Sequence, residues 1–406
     1  MLKCPLVKKE ELSMTNVNAT VKNEMPPNKE INASTFSEKK NKREHSNGIE
    51  ITKEDFGPFY KYVMNDDITD VDYDGNFLWV TDVSGNTWKA EENVSFSDIQ
   101  ILTQKVKTVT NSDLNRLKTI LETSTENLRI SIMHESIAKS GRSVCIRKTL
   151  PTIRMTPKSV IEQEYMPLEM LQFFRNCVKA KKTIVVCGEP ACGKTEFVKF
   201  LTPWIPKEEK VITIEDTQEI RYKQINPGKQ AVEIVVNDNF SYTDAIKASL
   251  RQNPSRLMLS EARSVEVKSL IEAWSTGICG YTTIHTDSVG NIPDRILDMM
   301  PTREDADRLE NDIYRYCNVG VLVRKKVING VKRRMIDQVA YFIRVRQRNY
   351  CHLLLMDGDK VTSNVPADIS NEFLRDGIED IFYNQEILEK LGFPLDKQKN
   401  KAVKNQ

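Results

Sequence analysis

Gly188, Glu189, Pro190, Ala191, Cys192, Gly193, Lys194 and Thr195 follow the pattern G-x4-G-K-T without a gap, directly after the apolar run Thr183–Cys187 and directly before the helix-patterned TEFVKFL. No other feature of the chain narrows its possible folds as much. Such a loop belongs at the carboxyl end of a strand that hands over to a helix. Its glycines let successive backbone N–H groups turn toward one anion, and the helix N-terminus adds positive partial charge. In that setting Lys194 reaches the β and γ oxygens of a nucleotide, and the Thr195 hydroxyl is available to Mg²⁺. A chance glycine-rich turn is the alternative, and the strand–loop–helix context argues against it.

The surrounding text carries the matching periods. Between 161 and 345 the apolar strands TIVVC (183–187), VITIE (211–215), AVEIVV (231–236), RLMLS (256–260) and YTTIH (281–285) alternate with helical patterns such as YTDAIKASLRQ and VEVKSLIEAWSTG. This predicts an α/β domain with a mainly parallel sheet and its chemistry at the strands' carboxyl ends. Residues 51–150 read as a smaller N-terminal α+β domain. It has a hairpin in ITDVDYDGNFLWVTD–SGN–TWKAE, helical spacing in SFSDIQILTQKVKTVT and DLNRLKTILETS, and strands in LRISIMHES and RSVCIRK. Residues 151–160 form a linker marked by Pro151 and Pro157, and 346–406 a C-terminal extension, partly helical with a frayed end. Residues 1–50, polar and rich in Asn, Lys and Glu, are expected to be a disordered tail.

Composition sets the outer bounds. The 406 residues carry 59 Lys and Arg against 57 Asp and Glu, a net charge of +2, so direct nucleic-acid binding is not expected. Apolar runs are strand-sized, and none approaches the roughly 18–20 residues that span a bilayer. Lys and Glu punctuate MLKCPLVKKEELSMTNVN before any apolar stretch forms, which argues against a secretory leader and for a cytoplasmic protein. Eight scattered cysteines without a C-x2-C knuckle read as reduced thiols.

Hydrolysis of a nucleotide needs a second hold on the metal and a group that orients water. Acids at the ends of other strands are the candidates: Glu215 and Asp216 after VITI, and Glu261 after RLMLS, where Ser260 takes the place of the usual Asp. His285, closing YTTIH in a polar turn, is a candidate γ-phosphate contact. An exposed loop acid or helix cap is the alternative for the carboxylates, and a hydrogen-bonded structural role for His285.

GEPACGKTE, then ITIEDTQEIRY, then NPSRLMLSEARSVEVKSLIEAWSTGICGYTTIHTDS resemble the Walker A, Asp box, Walker B and His box of the type II/IV secretion ATPase superfamily, in its order. The likeness is strongest to the traffic ATPases of type IV secretion and conjugation, and a weaker match runs from about Asp67 to about Asp337. The resemblance implies a homohexameric ring, each subunit setting its N-terminal domain over a RecA-like P-loop motor domain with ATP and Mg²⁺ in the cleft between them. It implies that the loop from Gly188 through Glu196 holds the phosphates, Lys194 and Thr195 taking phosphate and metal. Glu215 would be the water-activating base, Glu261 would serve metal or water, and His285 would report the γ-phosphate. Arg129 in LRISI and Arg147 in CIRK match positions from which the family's N-terminal domain reaches the phosphates. Arg251 and Arg263 lie in motifs that sense nucleotide. Surface charge on two strands is the alternative for Arg129 and Arg147, and a helix-surface role for Arg251 and Arg263.

Two positions depart from the family pattern: Ser260 replaces the glycine usual before the Walker B glutamate, and Cys192 stands inside the phosphate loop. The paired C-x2-C zinc element of type II secretion and pilus relatives is missing, which favours the type IV branch. The implied function is an ATPase that powers substrate transfer or pilus assembly at the cytoplasmic face of a membrane. Integral membrane and cytoplasmic components of the apparatus are the implied partners, and peripheral membrane contact through the basic tail is allowed. A type II secretion or pilus extension/retraction motor, and a nucleotide-binding assembly scaffold with little hydrolysis, are the rival readings.

Overall fold

In the first part of the chain, alternation at period 2 becomes an antiparallel sheet. The computed structural model describes residues 51–392 apart from 126, 303–304, 329, 346–347 and 363, with only the backbone described between 345 and 354. The polar tail expected over 1–50 and the frayed end beyond 392 lie outside the described residues. Strands β1 (Ile68–Tyr73), β2 (Leu78–Asp82), β3 (Thr87–Lys89), β4 (Ile120–Ser124), β5 (Leu128–Met133) and β6 (Ser143–Lys148) lie in the order β3-β2-β1-β6-β5-β4. Val71, Val80, Ile130, Ile132 and Ile146 form one apolar face and pack against Ile99, Leu102 and Val106 of the helix Phe96–Thr110. That helix starts at a capping box in which the Ser95 hydroxyl and the Asp98 carboxylate each accept from the other's amide. Because side chains alternate along a strand, Asp70, Arg129 and Arg147 are left for the other face.

One expectation fails in this sheet. DLNRLKTILETS has helical spacing, yet its second half is strand β4, with Leu121 buried between exposed neighbours. β5 offers a full ladder from Ile120↔Met133 to Ser124↔Arg129, and that pairing overrides a weak local preference. The hairpin text also folds back twice: once at Asp74–Phe77 between β1 and β2, and again at the expected SGN turn between β2 and β3.

The second sheet contains β7 (Ile184–Cys187), β8 (Val211–Glu215), β9 (Ala231–Val235), β10 (Arg256–Leu259), β11 (Tyr281–Ile284), β12 (Val319–Ile328), β13 (Val331–Val345), β14 (Arg348–Asp357) and β15 (Lys360–Val361). Their order is β15-β14-β13-β12-β7-β11-β10-β8-β9. From β12 to β9 every neighbouring pair is parallel. β13, β14 and β15 are added antiparallel, so the sheet is mixed, and the expected parallel arrangement holds for its β12–β9 half. Both faces of the parallel part are covered. Ile184 and Val186 join a cluster with Phe174, Phe197 and Tyr341, while Val185 and Cys187 join another with Leu270, Trp274 and Ile313. Burial on both sides is why these strands read as unbroken apolar runs. Beyond 345, β14 and β15 extend the sheet, and Phe373 and Ile387 of the helices Ala367–Leu374 and Gln385–Lys390 enter the first cluster. Cys145, Cys177, Cys187, Cys192, Cys279 and Cys317 are free thiols. No helix among the described residues is long and apolar enough to cross a membrane.

Candidate functional site

Four strands that end at the candidate motifs are neighbours: β7, β11, β10 and β8. Their carboxyl ends therefore set Gly188, His285, Ser260 with Glu261, and Glu215 with Asp216 along one edge of the sheet. Gly188 leaves β7 at φ +144°; a Cβ there would run into the carbonyl oxygen of Val323 and lie 2.8 Å from Cys192 Sγ. Gly193, at φ +101°, is the N-cap of the helix Lys194–Leu201. Pro190, Ala191, Gly193, Lys194, Thr195 and Glu196 line the cleft that forms over this loop. Cys192 turns the other way, fully buried with Tyr165 and Phe197, and burial raises its thiol pKa. Its presence in the loop is thus a packing feature. Glu189 gives its carbonyl to Lys194 while its side chain is exposed, and Glu196 pairs with Lys199 at 3.1 Å.

Lys194 is buried, which holds its ammonium below the ordinary lysine range. Its Nζ donates to the carbonyls of Gly188 and Glu189, each at 3.0 Å, and lies 3.4 Å from His285 Nδ1. His285 Nε2 stands 2.9 Å from Glu261 Oε1, and Glu261 Oε2 accepts from Arg263 Nη2 at 2.9 Å. Arg263 Nη1 donates in turn to Asp216 Oδ2 at 2.8 Å. Burial first, and the Lys194 charge second, lower the His285 pKa, so the imidazole is neutral near pH 7. A carboxylate at Nε2 and an ammonium at Nδ1 match the tautomer protonated on Nε2. One polar chain thus runs from Lys194 through His285, Glu261 and Arg263 to Asp216.

The first sheet closes the cleft from above. Arg129 and Arg147 are direct cross-strand partners on β5 and β6, and both line it. Arg147 Nε is held by Asp70 Oδ1 at 2.8 Å. Eight Lys and Arg side chains against five Asp and Glu line the cleft, so a chain of near-zero net charge concentrates a positive field at this loop. Arg251 takes no part; it is exposed at the end of the helix Tyr242–Leu250.

Glu215 does not stand where a water-activating base would have to stand. It is 1 % exposed and does not line the cleft; Oε1 accepts from the amides of Glu219 and Ile220 at 3.1 and 2.9 Å. Oε2 is buried without a hydrogen-bond partner, and burial pushes the carboxyl pKa to about 7. Glu215 is a clasp on the segment that follows it. What the clasp delivers is Glu219, a residue that sequence reasoning missed: its Oε2 accepts from the Thr195 hydroxyl at 3.1 Å, and it lines the cleft. The available signal was the second glutamate of EDTQE. Thr195, Glu219 and Glu261 present hard oxygen donors to one space, the set that suits Mg²⁺. No cage of three or more His, Cys, Asp or Glu occurs among the described residues. Mg²⁺ does not ask for one, because it keeps several waters and takes one or two carboxylates beside phosphate oxygens.

Burial of Glu215 makes folding favour its protonated form. A carboxyl favoured in its protonated form on folding stabilises below its unfolded value, near 4.3, and that stability is lost as pH rises through about 7. The stability advantage of the wild type over Glu215→Gln should shrink by roughly 2 kcal/mol between pH 5 and pH 8 in urea titrations. A difference that is flat or grows with pH would show that the carboxyl is ionised in its pocket.

Comparison with known proteins places the chain in a family. The family described as "Type II/IV secretion system protein" matches residues 105–351. An uncharacterised protein of Bacillus anthracis is 27% identical over 64% of this chain and 60% of its own length. The type IV secretion system protein VirB11 of Brucella suis is 31% identical over 47% of this chain and 57% of its own length. The chain thus spans little more than half the length of these curated relatives. Among solved structures, the ATPase DotB of Yersinia pseudotuberculosis shares the fold with a TM-score of 0.53 at 14% identity, over 68% of this chain and 75% of that one. On the family match that joins β5 and β6 of the first sheet to the phosphate-loop edge of the second, the chain belongs to the type II/IV secretion system protein family.

Proposed function

We propose that the chain is an ATPase that binds ATP with Mg²⁺ at the Gly188–Thr195 loop and couples hydrolysis to the meeting of its two sheets. In this reading it works as a homohexamer at the cytoplasmic face of a membrane, powering transfer or pilus assembly in a type IV secretion or conjugation machine. The observation that carries the proposal is the polar chain Lys194–His285–Glu261–Arg263, set beneath two arginines supplied by the other sheet.

Phosphoryl transfer asks a protein mainly for position and charge. Lys194, already aimed along the loop, meets the β and γ oxygens, and Arg129 and Arg147 reach the same charge from the opposite wall. Thr195 and Glu261 would hold Mg²⁺, which neutralises phosphate charge when bound. Glu219, beside Thr195, takes the role of orienting water, and Glu215 acts through it by fixing the backbone of 219 and 220. Because neutral His285 joins Lys194 to Glu261, arrival or loss of the γ-phosphate at Lys194 is felt at Glu261 and, through Arg263, at Asp216. Contacts to one phosphate tail from both walls favour a closed cleft, and cleavage removes part of them.

Glu219→Gln should lower phosphate release by about 10²-fold or more while leaving ATP affinity within a few-fold, the pattern of a lost proton acceptor. Wild-type turnover in Glu219→Gln, with loss in Glu215→Gln, would return the base role to Glu215.

A further inference from the structure

The cleft has a third wall that neither the sequence motifs nor the roles above use. β12 pairs with β7 only as far as Leu322↔Cys187 and then runs on past the end of β7, so the β12–β13 hairpin flanks the phosphate loop. The Val323 carbonyl is the atom that a Cβ on Gly188 would strike. Lys325 and Arg334 face each other across the hairpin. The Arg334 Cδ lies 3.5 Å from where a Cβ on Gly193 would be, so its stem crosses the loop at the start of the helix. Its Nη1 donates to the Val83 carbonyl at 2.9 Å, in the turn between β2 and β3 of the other sheet. Lys332 Nζ reaches Gly85 of the same turn at 3.4 Å.

Two observations point to a ligand. Arg334 lines the phosphate cleft with its Nε buried and without a hydrogen-bond partner, which is costly for a guanidinium donor. Lys325 stands opposite Arg334, and neither forms an ion pair with a carboxylate among the described residues. Burial, followed by the Arg334 charge, depresses the Lys325 ammonium, so these cations work against each other until an anion comes between them or beside them. Arg334 sets Nη1 on the Val83 carbonyl and Nη2 3.6 Å from where a Cβ on Gly85 would be, both at the β2–β3 turn, while the unpartnered Nε is bonded to the Cδ that lies beside Gly193 at the phosphate loop.

We infer that Arg334 is a binding residue for the diphosphate of the nucleotide, and that by keeping Nη1 on Val83 it ties the β2–β3 turn to the occupied loop. The inference rests on the nucleotide reading of the loop given above. It adds a contact from β13 that ATP and ADP share, so it reports occupancy of the site rather than the presence of the γ-phosphate. Binding should therefore order residues 83–86 equally with either nucleotide.

The test uses the full chain with Mg-ADP and Mg-ATP, reading affinity by calorimetry and amide hydrogen exchange over residues 83–86. In the wild type, both nucleotides should slow exchange in that turn. Arg334→Ala should weaken both by the same factor, about tenfold or more, and abolish the slowing. Arg334→Lys should recover part of the affinity but not the protection, because an ammonium cannot hold Val83 and phosphate in one plane. Wild-type affinity in Arg334→Ala, or full protection of 83–86 in a folded Arg334→Ala, overturns the inference. Lys194→Ala separates the two claims. If it loses affinity while Arg334→Ala does not, the loop reading stands and the Arg334 role falls; absence of nucleotide binding by the folded wild type removes both.

Discussion

Lys194→Ala is expected to lower ATP turnover by about 10²- to 10³-fold, the size of one lost charge contact at the transferring group in a water-poor site. The ammonium is buried, aimed along the loop by the carbonyls of Gly188 and Glu189, and within reach of His285, so its reorganisation on meeting phosphate is small. Removal also cuts the polar chain at its first link, leaving His285 without its partner at Nδ1. Nucleotide affinity should fall with the rate, because the β-phosphate contact is made in the ground state as well. Steady-state phosphate release, with thermal unfolding as the control for folding, checks this. A folded Lys194→Ala protein with wild-type turnover would mean that the phosphate loop is not where the chemistry occurs.

Gly188→Ala should unfold the loop rather than merely slow it. At φ +144° an L side chain is strained, and the added methyl would meet the Val323 carbonyl, a backbone atom in the middle of β12 that cannot step aside. Strain and overpacking together are expected to cost about 3 kcal/mol and to abolish nucleotide affinity. Gly193→Ala is the informative companion. It has a similarly positive φ of +101° but nothing closer than the Arg334 Cδ at 3.5 Å, so only the backbone term applies, about 1 kcal/mol. Urea titrations should show Gly188→Ala less stable than Gly193→Ala by about 2 kcal/mol. Equal destabilisation would mean that β12 is not packed against the loop.

What was legible in the sequence is what local chemistry dictates. The strands that end at Cys187, Glu215, Leu259 and Ile284 are buried on both faces and mostly apolar, and the loop motif follows the first of them, so the row of strand ends is readable directly. The sheet order then decides which motif residues touch, and Lys194, His285, Glu261 and Arg263 are expected residues joined in one chain. A glutamate at a strand end looks the same in sequence whether it faces a cleft or clasps its own loop, so the sequence alone does not separate the two for Glu215. Its burial and the amides of 219 and 220 show which of the two it does, and they set Glu219 beside Thr195. The spacing of the β4 segment fits either period, and only the neighbouring ladder with β5 settles it as a strand. Arg334 was invisible for a different reason. It lies 141 residues after Gly193 along the chain (334 − 193), and a hairpin brings it to the loop, a long-range pairing with no local signature.

If one loop grips a polyphosphate with help from both sheets, titration of the purified chain with Mg-ATP in a calorimeter will show it. Binding should be saturable, weaken on removing Mg²⁺ and weaken again in Arg129→Ala combined with Arg147→Ala. A well-folded wild-type chain that takes up no adenine nucleotide with or without Mg²⁺ would contradict it.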